Sequence, residues 1–232
     1  MDFLVNAVKA YFNRNWRRQD MMSSATIPEH ARTSLKMVYL SLFCAMSAAA
    51  YGSHLHLIWG AEWLLPILSS AASLLWLYFT PPWRVKTRVV LLMDAAFCFG
   101  ASVGPFTKYF FEIDQRFVVR FLQGAAIVFG CFWFAARTSR ERRQIYITGL
   151  IETCTVMQMW FDITQWMLKV YVLLALFMGY LVLYSQEILY DARFGDIDYV
   201  NCAFTVFFCL PAIVVHAVRL CLGANIEQHR QN

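Results

Sequence analysis

Two carboxylates stand inside stretches of this chain that otherwise carry no charge: Asp94 within Val89–Phe106 and Glu152 within Ile145–Phe161. At mid-depth in a bilayer a carboxyl group costs roughly 2.5–3.5 kcal/mol, so such groups turn toward a bundle interior or water and pair there. Two roles suit them equally, a path for protons or cations and a hydrogen-bonded packing contact. His54 and His56 sit two residues apart, about 200° around a helix, and cannot ligate one metal together without a break. Gly100-Ala101-Ser102-Val103-Gly104 sets a serine between glycines, but the spacing departs from a nucleophile elbow and no base accompanies it. Small residues in that order suit close helix contact instead. The seven cysteines form no CxxC pair and read as small packing hydrophobes. Glu187, Asp191, Asp196 and Asp198 gather in one segment without the ligand spacing of a calcium-binding loop. Asp198 is suited to cap the helix after it. With no HExxH motif or P-loop, the expectation is a protein with no catalytic residues, metal or cofactor.

The elements that must position these residues follow from composition. Of 232 residues, 59% are hydrophobic, 17% aromatic and 15% charged, against roughly 25% charged in soluble domains. A single soluble core cannot hide so much apolar surface. The apolar residues collect into seven runs: Met37–Ala61, Trp63–Trp83, Val89–Phe106, Phe117–Ala136, Ile145–Phe161, Val170–Gln186 and Tyr199–Val218. Each approaches the roughly 20 residues that cross a bilayer as a helix, and none alternates as a barrel strand would. The expected fold is therefore an all-α membrane protein, a seven-transmembrane-helix bundle. Residues 1–36 form a cytosolic tail, 37–222 the transmembrane domain and 223–232 a short C-terminal tail.

Charge between the runs orients the bundle. The N-terminal segment and the links after runs two, four and six hold fourteen of the twenty basic residues, among them Arg32, Lys36, Arg84, Arg88, Arg137, Arg142 and Arg193. By the positive-inside rule these segments face the cytosol, and so does the N-terminus. The C-terminus lies outside if all seven runs span, or in the cytosol if the last one, with Pro211, His216 and Arg219, re-enters. The basic N-terminal segment lacks the features of a cleaved signal peptide. Its stretch Tyr11–Arg18 suits a solvated tail better than a lipid-bound one. The net charge of +5 reflects this placement rather than nucleic-acid binding, and the lipid bilayer is the expected partner.

Several motifs in order resemble the Bax inhibitor-1 family, in particular its plant branch. They are His56–Trp59, Thr80-Pro81-Pro82, Gly100–Pro105 and Phe129-Gly130-Cys131-Phe132. Gly179-Tyr180, Ser185-Gln186-Glu187-Ile188, Gly195-Asp196-Ile197-Asp198-Tyr199-Val200, Ala203 and Thr205 complete the set. The resemblance runs from about Val38 to Leu222. It implies six helices around a central, C-terminal seventh, and a membrane protein of the endoplasmic reticulum that suppresses programmed cell death under stress with membrane-protein partners. It also implies a pH-sensitive calcium or proton leak gated by two aspartates, and makes Gly195-Asp196-Ile197-Asp198-Tyr199 a connector motif.

This chain departs from that pattern at the positions that matter for a leak. Tyr184 and Cys209 align with the two aspartates, Phe99 with a usual glutamate and His216 with a usual arginine. Two facing carboxylates can share a proton and couple a gate to pH. A phenol and a thiol cannot do so near neutrality, and both are poor ligands for calcium. The calcium site is therefore expected to be lost, unless Asp94 or Glu152 replaces it. The family's lysine-rich tail is also missing, since Gly223–Asn232 holds Arg230 as its only lysine or arginine. That argues against calmodulin binding.

Overall fold

On the first helix, small and apolar residues recur at Ala31, Leu35, Val38, Leu42, Ala45 and Ala49, the four-then-three spacing of a helix seam. In the computed structural model this stripe is at most 1% exposed. The structure describes residues 26–59, 64–111, 115–160, 165–192 and 197–208. Within them seven helices follow one another: α1 Glu29–Trp59, α2 Leu64–Phe79, α3 Val85–Phe111, α4 Gln115–Thr138, α5 Arg142–Trp160, α6 Gln165–Asp191 and α7 Tyr199–Phe208. The first helix thus starts at Glu29, ahead of the apolar run at Met37. Its seam continues through Ala31 and Leu35 although Glu29, Arg32 and Lys36 interrupt the hydropathy.

The seam of α1 packs against α3, α4 and α6, which makes α1 the packing centre among the described residues. The central place expected for the C-terminal helix is seen only in part. Along α7, Val200, Ala203, Val206 and Phe207 are buried, while Asn201 and Thr205 are exposed. The rest of that run, to Val218, lies outside the described residues.

Against α3 the backbones nearly touch. A Cβ built on Gly100 would stand 2.0 Å from the Ala49 carbonyl oxygen, and one on Gly52 would stand 2.2 Å from that of Phe97. Only hydrogen fits at either position. The glycine-rich segment is therefore a helix crossing, as its composition suggested. Against α4 the contact is aromatic, with Tyr39 edge-on to Phe132 at 5.9 Å. Phe129 meets Phe177 of α6 at 5.3 Å. A seam of hydroxyls joins α2 to α3, where the Ser70 Oγ donates to the Ala95 carbonyl oxygen at 3.0 Å.

The exterior is apolar. Leu65, Leu68, Trp76, Tyr78, Phe79, Trp83 and Tyr109 are all more than 60% exposed, a surface suited to lipid and its interfaces. Helices α1, α3 and α4 are long and apolar enough to cross a membrane, while α2, α7 and the Tyr171–Gln186 part of α6 are apolar but shorter. Helix α5 is less apolar, because Gln144, Thr148, Glu152, Thr153, Thr155 and Gln158 interleave with its hydrophobic residues. The architecture is that of a multi-pass membrane protein. The cysteines bear out the expected packing role unevenly: Cys202 packs against the core, Cys98 and Cys131 are half-buried, Cys44 and Cys154 are exposed, and Cys209 and Cys221 lie outside the described residues.

Gly100→Leu should destabilise the purified protein by at least the roughly 1–3 kcal/mol of ordinary overpacking, read as a lowered thermal midpoint in detergent. Gly179→Leu, where a Cβ meets nothing within 4 Å, should leave the midpoint near that of the unchanged chain.

Candidate functional site

Three arginines counted among the link charges are buried: Arg32, Arg88 and Arg142. A guanidinium inside an apolar bundle must find acceptors: Arg32 and Arg88 do so at the ends of α4 and α7, and Arg142 does so on a side chain of α6. Arg32, one turn into α1, donates from Nε to the Ala136 carbonyl oxygen at 2.9 Å and from Nη2 to that of Arg137. It thereby places a cation on the C-terminus of α4, where the helix dipole is negative. His30 gives its Nε2 proton to the Ala192 carbonyl oxygen at 2.7 Å, just past α6. Ahead of the helix, the Ile27 amide donates to the Arg140 carbonyl oxygen at 3.2 Å. The start of α1 therefore closes two other helices.

Next to it lies a chain of hydroxyl and amide groups. Ser185 Oγ donates to the Leu181 carbonyl oxygen at 2.5 Å, which leaves Tyr39 as the donor in its bond to Ser185. Arg142 Nη1 donates to Gln186 Oε1 at 3.2 Å, and Gln186 Nε2 donates to the Tyr146 hydroxyl at 2.9 Å. Ser185 and Gln186 belong to the motif noted in the sequence, and their role in the fold is to tie α6 to α1 and α5.

Arg88, on α3, holds α7. Its Nη1 meets Asp198 Oδ2 at 2.5 Å and its Nη2 meets Asn201 Oδ1 at 2.7 Å. The other oxygen of Asp198 accepts the amides of Val200 at 3.1 Å and Asn201 at 3.3 Å. Asp198 is thus the N-cap expected of it, and its second oxygen neutralises a buried cation. Both oxygens are committed to the fold. Gly195 and Asp196 lie outside the described residues, as do Cys209 and His216.

Tyr184 and Phe99 both face α7. Tyr184 is buried on α6, and its hydroxyl donates to the Cys202 carbonyl oxygen at 3.5 Å while its ring stacks on Tyr180. Phe99, on α3, meets Phe207 and Phe208 edge-on, each at 5.7 Å. The surfaces that α3 and α6 turn to α7 at these positions are therefore aromatic.

The two intramembrane acids do not share a site. Asp94 Oδ2 accepts the Ser73 hydroxyl at 2.5 Å, a packing contact in the hydroxyl seam between α2 and α3. Glu152 lines an open recess between α4 and α5 together with Gly130, Cys131 and Phe134. Ser102 donates its hydroxyl to the Phe99 carbonyl oxygen at 2.8 Å and sits at the α1–α3 crossing. His54 is exposed. Among the described residues no group of three His, Cys, Asp or Glu side chains could hold a metal.

The arrangement thus clamps helix ends and packs aromatic faces. Sequence reading missed the buried arginines because a charge between apolar runs scores as a link residue. One signal was available for Arg32: it lies between Ala31 and Leu35 on an uninterrupted helical seam.

Helix ends closed by buried arginines inside an apolar exterior define a multi-pass helical membrane protein. A family described as "Inhibitor of apoptosis-promoting Bax1" matches residues 31–225, and the chain belongs to that family. It is 32% identical to Bax inhibitor 1 of Arabidopsis thaliana, over 93% of this chain and 91% of that protein. It is also 32% identical to Bax inhibitor 1 of Oryza sativa subsp. japonica, over 89% and 87%. Identity to Bax inhibitor 1 of Homo sapiens is 25%, over 82% and 85%. No solved structure matches.

The two halves of the α3–α7 clamp should respond unequally. Asp198→Ala leaves a cation with a side chain only 5% exposed unpaired and uncaps α7, and should cost about 3–5 kcal/mol. Arg88→Met leaves a carboxylate that is 30% exposed and still bonded to two amides, and should cost about 1.5–3 kcal/mol. Unfolding in mixed micelles measures both, and an equal or reversed order would refute the clamp.

Proposed function

We propose that this protein resides in the endoplasmic-reticulum membrane and suppresses programmed cell death under stress, without catalysing a reaction. One observation carries the reading: the match to the Bax inhibitor family spans residues 31–225, with plant relatives 32% identical over most of their length. The bundle crosses the bilayer several times, its last apolar run either spanning or re-entering, and the N-terminus lies in the cytosol with the basic links. The protein acts through the bundle's lipid and membrane-protein contacts.

It does so without the paired-carboxylate calcium leak of its family. Tyr184 occupies the position of one aspartate and bonds to the α7 backbone. Phe99 occupies the position of a glutamate and packs on Phe207 and Phe208. Asp94 is held by Ser73 and Glu152 lines a different face, so the two do not replace the lost pair. These contacts support a scaffold kept for regulation after its ion chemistry was lost.

Cells under endoplasmic-reticulum stress should survive better when they express this chain, as they should with the Arabidopsis relative beside it. The purified protein in liposomes should pass calcium at the rate of protein-free vesicles, and Tyr184→Asp combined with Cys209→Asp should raise that flux. Unchanged survival would reject the regulatory role. A wild-type flux that Glu152→Gln or Asp94→Asn abolishes would reject the loss of the leak.

A further inference from the structure

The lipid-facing surface changes character at α5. Where α2 exposes Leu65, Leu68, Trp76 and Phe79, α5 exposes Cys154, Thr155 and Gln158 beside its hydrophobic residues. Its outer residues Ile147, Ile151, Thr155 and Met159 are spaced four apart, the ridge that one helix offers to the groove of another. At 1.5 Å per residue the ridge is about 18 Å long. Beside it runs an open recess of about 380 Å³, with Gly130 and Cys131 of α4 in its wall and Phe134 at its edge. The space directly over Gly130 is taken by the Phe43 ring of α1, 3.2 Å from where a Cβ would stand.

Glu152 also lines the recess. Among the described residues it has no hydrogen-bond or ion-pair partner. The neighbouring hydroxyls are engaged elsewhere, Thr153 with the Gly149 carbonyl oxygen at 2.7 Å and Thr155 with that of Ile151 at 2.9 Å. Glu152 lies near the middle of α5, roughly 15 Å along the helix from Arg142, and on the reading that α5 spans the bilayer it stands too deep for a lipid headgroup to reach. An acyl chain would fill the recess and leave the carboxyl group in hydrocarbon. A side chain carried to that depth on a helix would satisfy both the groove and the charge.

We propose that the α4–α5 face receives a transmembrane helix of another membrane protein, and that this helix presents a lysine or arginine to Glu152 at mid-depth. The ridge and recess supply the helix-shaped surface, and the carboxylate selects the partner by charge. The inference holds whatever pathway the protein serves.

The test uses the full chain, labelled with a donor fluorophore at its N-terminus and reconstituted in phosphatidylcholine vesicles. The probes are two acceptor-labelled polyleucine transmembrane peptides, one with a central lysine and one with leucine there. Energy transfer should show the lysine peptide associating at least tenfold more tightly than the leucine peptide. Glu152→Gln should remove that preference, and Thr155→Trp, at an exposed position, should weaken association by blocking the ridge. Both variants should keep the helical circular dichroism of the parent. Equal association of the two peptides, or a preference that survives Glu152→Gln, would overturn the proposal. So would Glu152-dependent energy transfer between copies of the chain without peptide, because the face would then be a self-association surface.

Discussion

The guanidinium of Arg32, seated on the last carbonyls of α4, sets the constraint around which the bundle is arranged. A buried cation cannot be left without acceptors, and the end of a helix offers carbonyls that lack partners of their own. Satisfying both needs at once fixes the axial position of α1 against α4. With that register set, the small and apolar seam of α1 meets α3 where only Gly52 and Gly100 permit contact. Tyr39 then comes to Phe132 on one side and to Ser185 on the other.

The same logic repeats around the basic end. Arg142 reaches Gln186, and Arg88 reaches Asp198 and Asn201. Each pairing joins elements far apart in the chain, and each charge is spent on architecture. The contrast lies toward α7, where Tyr184 and Phe99 present rings. An aromatic face needs no counter-charge and holds its neighbour by ring contact. Charge is thus concentrated in the clamps that assemble the bundle, while the surfaces turned to α7 at Tyr184 and Phe99 are aromatic.

Much of this was legible from residue order. Long uncharged runs imply helices in lipid, and the Gly100–Gly104 segment implies a tight crossing. The aspartate before Tyr199 implies a cap. Other features were misread for definable reasons. Hydropathy placed the first helix at Met37, because Arg32 and Lys36 lower a local average that takes no account of which face they occupy. The cysteines read as packing residues because small apolar residues usually are, and Cys202 is one, yet Cys44 and Cys154 lie at the surface, where lipid makes exposure harmless. Asp94 admitted two roles until Ser73 was found within bonding distance, on a helix that ends before Asp94's own helix begins.

The sequence by itself determined the class of fold, the family and the absence of acids at positions 99, 184 and 209. These depend on residue type and on periodicity along one chain, and both are present before folding. Only the tertiary structure decided which charges are buried, which carboxylates are already engaged and which face of α5 still has a carboxyl group without a partner. Those properties depend on what another helix brings alongside, and no local pattern encodes the neighbour.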